Sequence, residues 1–218
     1  MDQFASARAE MIEQQLRIRG IRDERVLAAM ANVPRHLFVP EDQKSQAYRD
    51  GPLSIGQGQT ISQPYVVALT CELLEIAENG KVLEVGAGSG YAAAVLAQLA
   101  QKVIALERLP DLARLARKNL AKAGCSNVEV LCADGTLGCP SEAPFDAIAV
   151  AAGAPTVPDS LKKQLKVGGR LVIPVGRSRR QQDLIRVQRL SETEWKTDNL
   201  GAVAYVPLVG AEGWSTGD

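Results

Sequence analysis

Histidine occurs once in the 218 residues, and the four cysteines, Cys71, Cys125, Cys132 and Cys139, form no C-x-x-C pair. That leaves no zinc-ligand spacing and no disulfide framework. Free thiols in a reducing compartment are the simpler expectation, with no metal. A Ser-His-Asp or Cys-His machine would have to use His36, which lies in Pro34-Arg35-His36-Leu37-Phe38-Val39-Pro40 without a nucleophile beside it. We expect a structural or surface histidine there, with a place at a substrate rim as the alternative. Excess charge is also missing, since Lys+Arg and Asp+Glu stand at 25 each, so no broad field draws the chain to nucleic acid or an anionic membrane. No apolar run is long enough to span a bilayer, and Met1-Asp2-Gln3-Phe4-Ala5-Ser6-Ala7-Arg8 has no signal-peptide core. The expectation is a cytoplasmic monomer without nucleic-acid or membrane partners.

What is present is enough for one α/β domain: 46% of the residues are apolar. Its organising stretch is Val82-Leu83-Glu84-Val85-Gly86-Ala87-Gly88-Ser89-Gly90-Tyr91. Lys81 to Val85 reads as a strand, the glycines as a tight turn, and Tyr91 to Ala100 as a buried helix. Such a turn lets backbone approach a ligand, and the helix start offers unpaired N–H groups. A ligand-free turn is the plain alternative. Lys102 to Glu107 reads as a second strand, ending in an acid about twenty residues on, where nucleotide-binding βαβ units place a carboxylate against ribose hydroxyls. A third run, Val128 to Ala133, ends in Asp134-Gly135. Three ligand-like strand ends in a row favour a site. The G-x-G-x-G spacing departs from the G-x-G-x-x-G of dinucleotide folds. S-adenosylmethionine has no phosphate to cradle, and the set resembles the cofactor motifs of class I methyltransferases.

Upstream, the pattern predicts helices from Ser6 to Arg19 and from an Asp23 cap through Ala31, with a short one over Glu41 to Tyr48. The stretch Asp50 to Pro64 reads as a loop rich in glycine, hydroxyl and amide groups, followed by a helix from Tyr65 to Ala77. Downstream, strands are expected at Phe145 to Ala151, Arg170 to Val175, Asp183 to Arg189 and Val203 to Leu208, with a helix from Asp159 to Leu165. Arg177-Ser178-Arg179-Arg180 is either a solvated hairpin loop or a peptide-steering patch.

The run I-G-Q-G-Q-T-I-S-Q-P, with V-P-R-H-L-F-V-P, V-L-E-V-G-A-G-S-G-Y, A-D-G, F-D-A-I and V-P-L-V-G, resembles the protein L-isoaspartyl (D-aspartyl) O-methyltransferase family. T-I-S-x-P is the diagnostic part; the glycine motif alone indicates only a methyltransferase. Two departures stand out: Ala87 where the family usually has threonine or serine, expected to loosen cofactor contacts, and a variant Ala149-to-Pro155 run. The resemblance implies a doubly wound, mostly parallel, seven-stranded Rossmann-like sheet, final strands antiparallel, with an N-terminal helical cap. Residues 1–63 would form the cap and substrate loop, and 64–218 the S-adenosylmethionine-binding core. It also implies methylation of the free α-carboxyl of L-isoaspartyl residues in damaged proteins and peptides. Ser62 would be the catalytic hydroxyl, with Gln59, Thr60 and Ile61 lining the junction of cofactor and substrate. Gly86, Gly88 and Ser89 would hold the methionyl part, Glu107 the ribose, and Asp134 with Gly135 the adenine. Capping the following helix is the alternative role for Ser62. Another methyltransferase would share the glycine motif but not the T-I-S-x-P loop, and a silent binding module would keep the fold without the site.

Overall fold

The computed structural model describes residues 3–178 and 181–215. Two strands, β1 (Leu53–Gly56) and β2 (Gln59–Ile61), form a hairpin. The others are β3 (Lys81–Val85), β4 (Lys102–Glu107), β5 (Val128–Cys132), β6 (Phe145–Val150), β7 (Leu165–Ser178), β8 (Gln181–Arg189) and β9 (Trp195–Val203). They make one seven-stranded sheet in the order β5-β4-β3-β6-β7-β8-β9. Pairing is parallel from β5 to β7 and antiparallel at β7–β8 and β8–β9, so the mostly parallel sheet with antiparallel final strands is present.

Strands β3, β4 and β6 are apolar on both faces because both faces are covered. Val82, Val103, Ala147 and Val172 face one layer, Leu83, Ile104, Ile148 and Leu171 the other, as a two-residue repeat requires. The first layer holds α2 (Glu24–Asn32), α3 (Pro64–Leu74), α4 (Tyr91–Ala97) and α5 (Pro110–Lys122). It also takes the first helix, α1, which begins at Ala5–Glu10 and continues with wider π turns over Met11–Arg17. Asp23 caps α2 as expected, accepting from the N–H groups of Arg25 at 2.8 Å and Val26 at 3.4 Å. Arg25 then reaches the carbonyls of Ile76 (2.8 Å) and Leu99 (3.0 Å), fastening the N-terminal helices to the core.

The structure corrects several expectations. The last strand is Trp195–Val203, not Val203 to Leu208. Strand β9 is an exposed edge with no apolar alternation to betray it, whereas Val203 to Leu208 is apolar because it crosses over the strand ends as a covering segment. Its backbone is satisfied irregularly: the Leu208 N–H donates to the Gly153 carbonyl and the Gly153 N–H to that of Val206, both at 2.8 Å. Part of the expected loop is the β1–β2 hairpin, and the segment at 41 to 48 is a 3-10 turn over Glu41–Gln46. Helix α5 was not anticipated, although Pro110 at its first turn and its amphipathic pattern mark it. Arg179 and Arg180 lie outside the described residues. His36 is structural: it stacks on Phe4 with ring centroids 4.2 Å apart, and its Nδ1 lies 2.8 Å from the Tyr48 hydroxyl. Among the described residues, no helix is long and apolar enough to cross a membrane.

Candidate active site

The sheet order reverses at β3, so the carboxyl ends of β3, β4 and β6 open a crevice there. The glycine turn lines it. Gly86, Gly88 and Gly90 have φ of 91°, 54° and 89°, a region L side chains rarely enter. A Cβ at Gly90 would also lie 3.3 Å from the Ala116 backbone of α5. Glu107, at the end of β4, braces this turn: its Oε2 accepts from the Gly88 N–H and its Oε1 from the Leu109 N–H, both at 2.9 Å. Each oxygen keeps a further acceptor position. The crevice forms a cleft of about 270 Å³ that Gln59, Thr60, Gly86, Gly88, Glu107 and Gly135 help to line. That is near the lower end of ligand-site volumes.

Asp134 is differently placed from Gly135. Its Oδ1 accepts from the Thr136 N–H (2.9 Å) and hydroxyl (2.7 Å), and its Oδ2 from the Ala211 N–H (2.8 Å). Partial burial alone would raise its pKa; these donors, with the charge of Arg108, hold it below the usual carboxylate value. It ties the C-terminal segment behind the cleft, while Gly135 presents backbone to it.

Hairpin β1–β2 closes over the crevice. Its turn has positive φ at Gly56, Gln57 and Gly58 (86°, 56° and 69°), which glycine makes cheap at the flanking positions. The buried Ile55 packs onto the glycine turn, its Cδ1 3.2 Å from where a Gly88 Cβ would sit, and Gln57 Nε2 donates to Asp111 Oδ2 of α5 at 3.1 Å. At the end of β2, Ile61 and the following Ser62 share a narrow gap with Glu84, Gly86 and Ser89, so the expected loop and glycine residues do meet.

Ser62 does not cap the following helix. Gln63 occupies that position, and no side chain caps it. What fixes Ser62 is a fully buried arginine. The Arg35 guanidinium donates to the carbonyls of Ala47 (2.6 Å), Ser62 (2.8 Å) and Gly51 (3.3 Å), with its Cζ 4.8 Å from the Tyr91 ring centre. The Ser62 side chain lines a small gap together with Thr70 and Tyr205, and burial pushes the Tyr205 phenol up. Gln182 holds the Tyr205 backbone, donating to its carbonyl at 3.2 Å and accepting from its N–H at 2.8 Å.

A second cavity, of about 590 Å³, lies on the other side of Ser62 and Tyr205. Thr60, Ala151 and Val206 line both cavities and form the wall between them.

Glu84, inside β3, is 1% exposed, and neither carboxyl oxygen has a partner among the described residues. Burial, and next the charge of Glu107, push its pKa up to about 8 from an ordinary 4.5; the Ala93 N–H pulls the other way without reaching hydrogen-bond geometry. A buried acid left unpartnered is costly and marks a place for a cationic or donor-bearing ligand.

Sequence reasoning missed Arg35, Ala151, Tyr205 and Val206. The motifs V-P-R-H and V-P-L-V-G and the Ala149-to-Pro155 run contain or adjoin them.

A family model for protein-L-isoaspartate(D-aspartate) O-methyltransferase matches residues 6–213. The chain is 58% identical to protein-L-isoaspartate O-methyltransferase 2 of Marinobacter nauticus, over 97% of this chain and 96% of that one. It is 56% identical to the protein-L-isoaspartate O-methyltransferase of Methanoculleus marisnigri, over 95% and 93%. Among solved structures, a protein-L-isoaspartate O-methyltransferase superposes with TM-score 0.86 at 28% identity, covering 94% of this chain and 67% of that one. A Plasmodium falciparum structure, described as a candidate enzyme of the same kind in complex with S-adenosyl-L-homocysteine, gives 0.80 at 27%, covering 93% and 98%.

Proposed function

The chain belongs to the protein-L-isoaspartate(D-aspartate) O-methyltransferase family, and we propose that the residues gathered at its two cavities carry out methylation of the free α-carboxylate of L-isoaspartyl residues in damaged proteins and peptides. The ester can then collapse to a succinimide and reopen with the normal linkage. The observation that carries this reading is the meeting of the cavities at Thr60, Ala151 and Val206, with Ser62 beside that wall.

The residues fit S-adenosylmethionine. The unpartnered Glu84 carboxyl suits an ammonium group, and the left-handed glycines leave backbone open to a close ligand. When bound, S-adenosylmethionine supplies an electrophilic methyl group on a sulfonium sulfur. Gly86, Gly88 and Ser89 then take the methionyl part and Glu107 the ribose hydroxyls. Gly135 takes the adenine, with Asp134 holding its segment in place, and Gln59, Thr60 and Ile61 close the junction.

In the second cavity, the Ser62 hydroxyl meets the substrate carboxylate. No general base is needed, because a carboxylate is already ionised at neutral pH. The task of the protein is to hold one oxygen in line with the methyl carbon. Hairpin β1–β2 limits water, which favours the charge-dispersed transition state of an anion attacking a cation. We read residues 1–63 as cap and substrate loop and 64–218 as cofactor core of one domain, working as a cytoplasmic monomer.

Two variants test the assignments. Ser62→Ala should lower kcat/KM about 10- to 100-fold, the scale of a hydrogen bond to a charged group. Cofactor affinity and melting temperature should change little, since no helix loses its cap; full activity in this variant would remove Ser62 from the site. Glu107→Ala should weaken S-adenosylmethionine binding by about 1.5 to 3 kcal/mol, measured by calorimetry. Unchanged affinity, or tight NAD binding by the wild type, would contradict the ribose assignment.

A further inference from the structure

Among the described residues that line the second cavity, Arg19 is the only charged one. It is held there from two sides. Its Cζ lies 3.6 Å from the centre of the Tyr65 ring, and its Nη1 donates to both oxygens of Asp50, at 3.1 and 3.3 Å. Asp50 in turn accepts from Gln63 Nε2 at 2.7 Å. Gln63 and Tyr65 line the same cavity and follow Ser62 directly in the chain. The bracket therefore places a guanidinium in the same wall as the hydroxyl assigned to the substrate carboxylate.

This bracket has a consequence for binding. A free arginine loses rotamer entropy when it grips a ligand; one already stacked and paired loses less. Asp50 occupies only Nη1. The Nε and Nη2 groups donate to no described residue, so one edge of the planar fork is unused, and a carboxylate matches such an edge with two parallel hydrogen bonds.

We propose that Arg19 is a specificity-determining residue that receives an acidic side chain of the substrate close to the isoaspartyl residue, so that the enzyme favours acidic neighbours over basic ones. The proposal rests on reading the second cavity as the substrate site. Arg19 and Ser62 line the same cavity, so the side chain that Arg19 meets belongs to a residue close in the chain to the isoaspartyl one.

The test is a set of isoaspartyl peptides identical except for Glu, Gln or Lys at the first and second positions on either side. Each is assayed with labelled S-adenosylmethionine against the wild type, Arg19→Gln and Arg19→Lys. On at least one side the wild type should prefer Glu over Lys by about tenfold in kcat/KM, carried by KM and shrinking as salt is raised. Arg19→Gln should bring that ratio close to one, and Arg19→Lys should restore part of it, because charge remains but the fork is lost. A melting curve for each variant confirms folding. A wild-type ratio near one on both sides, or the same preference in Arg19→Gln, would overturn the role of Arg19 while leaving the methyltransferase reading intact. Failure to methylate any isoaspartyl peptide would overturn the substrate reading itself, and this inference with it.

Discussion

Raising the pH from about 5 to about 9 is expected to destabilise the ligand-free protein by about 4 kcal/mol relative to a Glu84→Gln variant. The cause is the buried Glu84 carboxyl, whose pKa is about 8 in the folded chain against 4.5 for an ordinary carboxyl. Between those two values the folded state holds a proton that the unfolded state has released. Its stabilising effect is complete below the lower value, declines by about 1.4 kcal/mol per pH unit, and is gone once pH passes the upper one. Glutamine cannot ionise, so the variant lacks this slope while sharing the contributions of other groups. Denaturant titrations of both proteins at several pH values measure the difference directly; parallel curves would contradict it. The same carboxyl couples protons to cofactor. Near neutral pH it is protonated in the ligand-free protein, and an ammonium brought beside it favours the ionised form. Binding of S-adenosylmethionine should therefore release protons in wild type, seen as a buffer-dependent heat, and markedly fewer in Glu84→Gln.

The second large effect is expected in substrate choice, and it follows from the geometry of the linkage. In an isoaspartyl residue the main chain runs through the side-chain carboxyl, leaving the α-carboxylate free on an arm one methylene shorter than a normal aspartyl side chain. The Ser62 carbonyl is tied to the buried Arg35 at 2.8 Å, and its side chain lies beside Tyr205 and Thr70. A hydroxyl carried on a backbone so held cannot follow a carboxylate that arrives displaced. Misplacement of about 1 Å costs on the order of a hundredfold in rate, so kcat/KM for an isoaspartyl peptide should exceed that for its aspartyl twin by at least about that factor. Similar values for the two peptides would refute the rigidity argument.

The cofactor side of the site was legible in the sequence because its signals are local. Gly86, Gly88 and Glu107 stand at the ends of apolar strands, and their spacing carries both the turn and the acid. Where a side chain points was less legible. Asp134 lies just past the end of β5, yet its carboxylate is committed to Thr136 and Ala211, a partner 77 residues away. Of the wall between the cavities only Thr60 was legible, since Ala151 and Val206 have no chemistry of their own and matter only through where they come to lie. Strand β9 was missed for a related reason. An edge strand with an exposed pattern needs no apolar alternation, while the apolar segment after it gains its burial by lying across strand ends. The Gly56-Gln57-Gly58 turn did carry a hairpin signal, obscured by strands of only four and three residues.

The account stands most directly on one measurement: labelled S-adenosylmethionine incubated separately with an isoaspartyl peptide, the same peptide with a normal aspartyl linkage, and RNA. Label should appear in the isoaspartyl peptide alone, as a base-labile ester of one methyl group per isoaspartyl residue. Label in RNA, equal label in both peptides, or none in any of the three would contradict the assignment of the second cavity to an isoaspartyl carboxylate.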